Sequence, residues 1–268
     1  MSRASGVGTT VQPTQRDGRV IAALKRCSLV AGLDDEAIAD IAVRTSTHRV
    51  RANRRLFEEG EECKGLWVVT SGRVRSLHLM ADGRQHAVGF HAPTTALDLG
   101  AALDGRPYMT TAITLVDSEV LLLPRPVLAD LSRDYPVTIQ NAISQLCLEV
   151  RQRDITAAVA ALKDARGRIG CSLLQLARQF GVQDGSGIRI NYPLTRQHIA
   201  DRSGVTVETA IRVMSDLQQQ GVIATENQVI SILDISRISD AINCAECQLE
   251  CSVFAERGVQ GMHQARQR

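Results

Sequence analysis

The spacing of apolar residues divides the chain into a strand-rich region followed by a series of helices. Between residues 49 and 123, short apolar runs such as GLWVVT and QHAVGFH are separated by glycine-containing turns such as Asp82-Gly83. Many short strands joined by regular turns are typical of an antiparallel roll or barrel. We expect Trp67 and Phe90 to lie in the core of this roll.

Residues 136–163 predict one long helix. Apolar residues recur along it with the period of about 3.5 residues that two helices need to pair along their length. This seam consists of Ile139, Ile143, Leu146, Val150 and Ala157. Arg153 falls at a further seam position, where an unmatched charge weakens pairing. The helix is therefore predicted to join two copies of the chain. The alternative is a helix that packs on its own domain.

The stretch from residue 194 to 221 predicts two helices joined by a sharp turn. Thr195 and Thr206 can cap the free N–H groups at the helix starts, and Gly204 can supply the turn. At about 100° per residue, one face of the second helix is apolar. That face comprises Ala210, Val213, Met214 and Leu217. Glu208 and Arg212 point the other way, which predicts a surface for a partner.

The second helix has the width that fits the major groove of DNA. A Glu carboxylate can accept from cytosine N4, an Arg guanidinium can donate to guanine O6 and N7, and apolar side chains can meet thymine methyl groups. We expect phosphates at the helix N-termini and at arginines, including Arg202. The candidate DNA-binding residues are Thr195, Arg196, Gln197, Thr206, Val207, Glu208, Ile211 and Arg212. The alternative is that Glu208 and Arg212 form a surface ion pair.

A wing and a cysteine-containing tail follow this motif. Residues 222–233 alternate apolar and polar positions around Glu226-Asn227, which predicts a two-stranded wing. A helical stretch then leads to three closely spaced thiols, Cys244, Cys247 and Cys251. Such spacing lets a folded-back loop aim three sulfurs at one centre, as iron-sulfur and zinc sites require. A thiol redox switch and unligated reduced cysteines are the alternatives.

Composition limits the classes of protein. The chain has 268 residues, enough for two domains, and its formal charge of +2 gives no bulk signal for nucleic acid. No apolar run is long enough to span a membrane, and residues 1–18 resemble a flexible arm rather than a signal peptide. We therefore expect a cytoplasmic protein, in which the seven cysteines serve metal or redox chemistry rather than a disulfide framework.

The stretch LTRQHIADRSGVTVETAIRVMSDLQQQGVI resembles the DNA-binding signature of the CRP/FNR superfamily of bacterial transcription regulators. Val207, Glu208 and Thr209 followed by Arg212 resemble its oxygen-regulator branch, which implies a TTGAT half-site. Ile211 departs from that branch, which usually carries Ser there, and this puts the outer bases in question. The resemblance also implies a homodimer and RNA polymerase as a further partner.

The same resemblance bears on the signal that the protein senses. GEECKGLWVVTSGRVR is similar to the jelly-roll effector domain of the family, but the nucleotide-binding stretch reads ALDLGAALDGRPYMTTA. It lacks the family's Gly-Glu pair and has Met109-Thr110 where the phosphate-binding Arg falls. A phosphate buried without a cation is costly, so cyclic AMP is not the expected signal, although Arg106 remains a nearby cation. His78, His86 and His91 could ligate haem, but isolated strand histidines are more often hydrogen-bonded surface residues.

Members of the oxygen-sensing branch carry a [4Fe-4S] cluster, and the tail resembles the C-terminal version of that cysteine motif. Three cysteines leave one iron without a protein ligand. Candidates for the fourth ligand are Cys171, Asp164, Cys147 and Asp154.

The predicted fold class is α+β, with an N-terminal antiparallel β-roll, a long dimerisation helix and a C-terminal winged helix-turn-helix. The expected domains are the arm at 1–18, the roll at 19–135, the helix at 136–163, the DNA-binding domain at 164–235 and the tail at 236–268. The predicted function is that of a homodimeric DNA-binding regulator switched by the cluster, and not that of an enzyme. The alternative is a regulator gated by a small molecule, with no cluster.

Overall fold

The computed structural model describes residues 16–185 and 187–242. The chain divides into two compact units between Val150 and Arg151. Among the described residues, no helix has both the length and the apolar character needed to cross a membrane.

The first unit begins with two short helices, α1 (Arg16–Leu24) and α2 (Asp35–Val43). The carboxylate of Asp34 caps α2 by accepting the N–H of Ala37 at 2.8 Å. Because α1 begins at Arg16, residues 16–18 of the predicted arm are helical, and the rest of the arm lies outside the described residues.

Strands make up most of the first unit, as predicted. They are β1 (Ser46–Val50), β2 (Arg55–Phe57), β3 (Gly65–Ser71), β4 (Val74–Leu79), β5 (Gln85–His91), β6 (Ala96–Leu97), β7 (Thr111–Thr114) and β8 (Ser118–Pro124). They form two four-stranded antiparallel sheets, ordered β1-β8-β3-β6 and β2-β7-β4-β5. Trp67 and Phe90 are buried, as expected. Helices α3 (Leu99–Asp104) and α4 (Arg125–Asp134) follow β6 and β8.

A single long helix, α5 (Pro136–Leu162), follows α4 and ends one residue before its predicted boundary. Near its start, Thr138 and Ala142 are buried, and Ala142 belongs to the core of the first unit. The division between the two units falls within this helix.

The second unit is a winged helix-turn-helix, as predicted. Its elements are α6 (Ala165–Phe180), β9 (Gly181–Asp184), β10 (Gly187–Ile190), α7 (Arg196–Ser203), α8 (Val207–Gln219), β11 (Ile223–Glu226), β12 (Val229–Ile232) and α9 (Ile235–Ala241). The strands form one antiparallel sheet ordered β11-β12-β10-β9. Leu173, Leu176, Ile199, Met214 and Leu217 are fully buried within this unit.

Gly181 leaves α6 in an extended conformation and pairs with Ile190, so β9 follows α6 directly. Two details of the second unit differ from the sequence-based expectations. The wing turns at Asn227 and Gln228, since Glu226 is still paired with Val229. Helix α9 packs on α6, so the fold of this unit extends beyond residue 235, where the tail was expected to begin.

Candidate nucleic-acid interface

Helix α7 starts at a reciprocal cap. The Thr195 hydroxyl accepts the N–H of His198 at 3.1 Å, and the N–H of Thr195 donates to His198 Nδ1 at 3.3 Å. Two N–H groups that the helix cannot satisfy itself are thereby paired. The predicted role of Thr195 as a cap is confirmed.

The turn between α7 and α8 depends on Gly204, whose φ of +61° favours a residue without a Cβ. Arg168 on α6 donates to the carbonyl of Gly204 at 3.2 Å. Beside the turn, the hydroxyl of Ser203 is hydrogen-bonded to that of Ser172 at 3.0 Å, and both side chains are buried. These contacts hold the turn and the end of α7 against α6.

Helix α8 has one buried face and one exposed face. Thr206 caps it by accepting the N–H of Thr209 at 3.2 Å, as predicted. The buried face consists of Ala210, Val213, Met214 and Leu217, as expected. On the other side Glu208 and Arg212 are exposed, Ile211 is 47% exposed and Val207 is half-buried.

The alternative prediction was a surface ion pair between Glu208 and Arg212, and these two side chains do not form one. The second unit does contain other ion pairs, including Arg166–Asp216 and Arg189–Asp184. The pKa of Glu208 is lowered by hydrogen bonds from its own backbone amide and from the Thr206 side chain. Its carboxylate is therefore ionised at neutral pH and can accept hydrogen bonds from outside. The guanidinium of Arg212 is exposed beside it.

Arg196 and Arg202 are half-buried, and each donates a hydrogen bond to a glutamine on another helix. Arg196 donates to Gln218 Oε1 at 2.9 Å and to the Met214 sulfur at 3.3 Å, and burial lowers its pKa. Arg202 donates to Gln175 Oε1 on α6 at 2.9 Å, and burial also lowers its pKa. Arg202 thus joins α7 to α6, and its contact with a phosphate stays a prediction.

The remaining candidates lie at the start of the two helices. Gln197 donates to Asp201 Oδ1 within α7 at 2.6 Å. The wing approaches the same region, because the N–H of Leu194 donates to the carbonyl of Gln228 at 2.7 Å. The wing turn and the start of α7 are thus held together.

Two arginines, which the sequence analysis did not single out, connect the far end of α8 to α9. Arg166 on α6 forms an ion pair with Asp216 and donates to Gln220 Oε1 at 2.7 Å, and its Nε donates to the carbonyl of Ala241 at 3.0 Å. Arg237 on α9 donates to the carbonyls of Gln220 and Gly221. The sequence signal for this contact was the i, i+4 spacing of Asp216, on α8, and Gln220, which follows the end of α8.

The predicted metal ligands Cys244, Cys247 and Cys251 lie outside the described residues. Of the candidates for a fourth ligand, Cys171 is buried in α6 and Asp164 caps that helix by accepting the N–H of Gly167 at 2.7 Å. Cys147 and Asp154 are exposed on α5. Within the described ranges, no group of three or more His, Cys, Asp or Glu residues is arranged to hold a metal ion.

In the roll, a carboxylate occupies the loop to which the family resemblance assigned phosphate binding. The carboxylate of Asp98 accepts the N–H groups of Met109 and Thr110 at 2.7 and 3.2 Å. Arg106, the nearby cation noted in the sequence, is exposed and faces Asp104. These two backbone donors are therefore already occupied by a negative charge.

The strand histidines are engaged in polar contacts. Nδ1 of His78 lies 3.0 Å from Glu59 Oε2, and Nε2 of His91 lies 2.8 Å from the Ser76 hydroxyl. His86 lies opposite His78 on the neighbouring strand. His78 and His91 are thus in polar contact with neighbouring side chains, as expected for isolated strand histidines.

The seam of α5 is exposed over part of its length within one chain. Ile143 and Val150 are 55% and 57% exposed, and Ala157 is also exposed. Ile139 and Leu146 are half-buried, and Leu146 packs on the core of the first unit. Large apolar side chains on an exposed helical stripe favour burial against another surface.

Two family models match separate parts of the chain. Residues 47–135 match the family model of the cyclic nucleotide-binding domain, and residues 167–241 match that of the Crp-like helix-turn-helix domain. The "CRP-like cAMP-activated global transcriptional regulator" of Mycobacterium tuberculosis (strain CDC 1551 / Oshkosh) is 26% identical over 216 residues, which are 81% of this chain and 96% of the relative.

Two further comparisons agree with this match. "Transcriptional activator protein FnrA" of Stutzerimonas stutzeri is 27% identical over 201 residues, 75% of this chain and 81% of the relative. The solved structure of FixK2 from Bradyrhizobium japonicum has a TM-score of 0.66 at 23% identity and covers 74% of this chain and 96% of its own. The β-roll, the winged helix-turn-helix and these matches together place the chain in the CRP/FNR superfamily of DNA-binding transcription regulators.

Proposed function

We propose that this chain acts as a homodimer that reads an inverted repeat with α8 and is switched by a [4Fe-4S] cluster held by its tail. The observation that carries the DNA-reading part is the exposed stripe of α8. Glu208, Ile211 and Arg212 project from a helix whose opposite face is fully packed, so the stripe is rigidly held and open to a partner.

The chemistry of this stripe suits base edges. An ionised carboxylate at Glu208 accepts from cytosine N4, and the Arg212 fork donates to guanine O6 and N7. Ile211 and Val207 lie where thymine methyl groups can contact them. The capped N-termini of α7 and α8 bring Thr195, Gln197 and Thr206 to the phosphates. Arg196 supports α8 from within through Gln218 and Met214.

A dimer places two such helices on one duplex. The exposed seam residues Ile143, Val150 and Ala157 support pairing of α5 with its copy, because burial removes apolar surface from water. Two recognition helices held about 34 Å apart would meet successive major grooves on one side of the DNA.

The donor set of the tail supports an iron-sulfur cluster. Three cysteines spaced CxxC and then xxxC supply thiolates, the ligands that such clusters require. When bound, the cluster supplies an oxygen- and nitric-oxide-labile crosslink between the tail and the rest of the chain. RNA polymerase is a further expected partner.

Helix α9 offers a route from the tail to the DNA-reading helix. Arg166 contacts Asp216 on α8, Gln220 just after it and the carbonyl of Ala241 at the end of α9. Arg237 donates to the carbonyls of Gln220 and Gly221, which follow α8. A change in the position of α9 therefore alters the contacts that hold the C-terminal half of α8.

Selection of duplexes from a random pool tests the DNA-reading part. The full-length protein is expected to enrich inverted repeats, with TTGAT as the first half-site to examine, and to bind as one dimer per duplex. A pool without an enriched sequence would contradict it.

Anaerobic reconstitution with iron and sulfide tests the switch. We expect a brown protein with broad visible absorbance, and DNA affinity that changes when oxygen destroys the chromophore. A zinc-containing, colourless protein would favour the zinc alternative. Regulation that persists after Cys244, Cys247 and Cys251 are all changed to Ser would favour a small-molecule signal instead.

Cyclic AMP is not the proposed signal. The carboxylate of Asp98 already accepts the N–H groups of Met109 and Thr110, and a second anion at that position would be repelled in the absence of a paired cation.

A further inference from the structure

A cleft lies between helix α1 and the strands β3 and β8 in the first unit. Its volume is about 200 Å³. Pockets that hold drug-sized ligands span roughly 300 to 1,000 Å³, so this cleft has room for a smaller molecule. Val20 and Leu121 line it, and both side chains are buried, so part of its surface is apolar. The described residues that line the cleft all belong to the first unit.

Two arginines line the cleft on the side of α1. Arg19 and Arg26 are seven residues apart, so they lie on the same side of the helix, separated by about 10 Å along its axis. Both residues are exposed, and neither guanidinium forms an ion pair with another residue in the described ranges. Two separated cations of this kind favour a ligand that carries two separated anionic groups.

Small side chains keep the space between the two arginines open. Ala22 and Ala23 lie between them along α1, and both line the cleft. Ala23 packs in the core of the first unit, whereas Ala22 is exposed. A larger side chain at residue 22 would therefore fill the cleft without disturbing the core.

The opposite wall of the cleft is polar. Ser71 at the end of β3 lies opposite Glu119 on β8, and the hydroxyl of Thr70 donates to the carbonyl of Glu119 at 2.9 Å. The carboxylate of Glu119 lies 3.8 Å from Arg49 Nε, so its charge is partly balanced by another cation. The charged residues that line the cleft are two arginines and one glutamate, and this net positive charge favours an anion.

We propose that this cleft binds a small dicarboxylate. A planar guanidinium can donate two parallel hydrogen bonds to one carboxylate, so Arg19 holds one end of the ligand and Arg26 the other. The short carbon chain between the carboxylates lies against Ala22, Val20 and Leu121. A single inorganic phosphate is too short to engage both arginines fully. The bound dicarboxylate ties α1 to β3 and β8.

Isothermal titration calorimetry of the full-length protein with sodium succinate, at constant ionic strength, tests this site. We expect one succinate per chain with a dissociation constant of about 1 mM or lower. Arg19→Gln and Arg26→Gln are each expected to weaken binding at least about tenfold, because each removes hydrogen bonds between charged groups. Arg84→Gln is the matched control, since Arg84 is exposed between β4 and β5 and does not line the cleft. It should leave binding unchanged.

Ala22→Leu separates a shaped cleft from a general attraction between charges. This variant keeps both arginines and fills the space between them, so it is expected to lose succinate binding. Succinamide, the neutral diamide of the same length, should not bind, and inorganic phosphate should bind more weakly than succinate. Far-UV circular dichroism checks that each variant is folded.

The proposal is overturned if the wild-type chain does not bind succinate, or if succinamide or inorganic phosphate binds as tightly. Unchanged succinate binding by Ala22→Leu or by either arginine variant would also overturn it.

Discussion

Arg212 stands on the exposed side of α8, one turn after Glu208, and no ion pair joins the two side chains. Because its guanidinium is available to a guanine edge, Arg212→Ala is expected to weaken binding to the selected inverted repeat by about 1 to 3 kcal/mol. Titration of the selected and an unrelated duplex at one salt concentration measures this difference.

The control for Arg212 is Arg189→Ala, which removes another exposed arginine of the same unit, paired with Asp184 on the neighbouring strand. We expect it to weaken both duplexes little and equally. If Arg212→Ala weakened the selected and the unrelated duplex to the same extent, Arg212 would be a phosphate contact and not a reader of bases.

Alanine substitutions on the buried and the exposed face of α8 are expected to differ in their effect on the free energy of unfolding. Leu217 is fully buried, so Leu217→Ala leaves a cavity and is expected to lower the free energy of unfolding by about 2 to 5 kcal/mol. Ile211 is 47% exposed, and Ile211→Ala is expected to change stability by less than about 0.5 kcal/mol. Urea unfolding of the two variants gives both values. A large loss for Ile211→Ala would mean that Ile211 is part of the core rather than of the DNA-facing stripe.

At the scale of the element, α8 is held at both ends by other helices. Arg168 fixes the turn before it through the carbonyl of Gly204, and Arg166 contacts Asp216 and Gln220 near its other end. Arg166 also holds the carbonyl of Ala241 on α9. One side chain therefore links the helix that reads DNA with the helix that leads into the tail.

This link predicts that Arg166 couples the state of the tail to DNA affinity. In a double-mutant cycle that combines Arg166→Ala with the triple change of Cys244, Cys247 and Cys251 to Ser, we expect a coupling free energy of about 1 to 3 kcal/mol in binding to the selected repeat. The DNA affinity of the four proteins, measured after anaerobic reconstitution, gives this value.

Arg178→Ala is the matched control, because Arg178 is exposed near the other end of α6. Its effect on DNA affinity is expected to add to that of the triple change. Additivity for Arg166→Ala as well would show that the contacts of Arg166 stabilise the unit without carrying a signal.

The sequence predicted the long elements and missed the short ones for a physical reason. The apolar stripe of α8 and the caps at Thr195 and Thr206 are local patterns, and both are confirmed. Strands such as β6, Ala96–Leu97, have too few residues to show an alternation, so the local pattern could not reveal them. The directions of Arg196 and Arg202 depend on neighbours distant in the sequence, Gln218 and Gln175, which a local pattern does not contain.

At the scale of the whole molecule, the feature that suggests a second copy of the chain is the exposed apolar surface of α5. Ile143, Val150 and Leu148 are all more than half exposed in the chain, but Leu148 lies about 160° around the helix from Val150. The apolar repeat of the seam includes Ile143 and Val150 but not Leu148. Helix α5 runs without a break through all three residues, so this spacing places the seam on one side of it. These three residues therefore allow the predicted interface to be tested with a control on the same helix.

Ile143→Asp and Val150→Asp are each expected to shift the protein from dimer to monomer, because a buried unpaired carboxylate costs far more than an exposed one. Leu148→Asp places the same charge on the opposite side of α5 and is expected to leave the dimer intact. Sedimentation equilibrium measures the shift, and far-UV circular dichroism checks that each variant is folded.

The seam variants should also lose affinity for the full inverted repeat while retaining weak binding to one half-site, because the two copies of α8 are no longer held on the same duplex. Dissociation by Leu148→Asp alone would move the interface to the other side of α5 and change the spacing predicted for the operator.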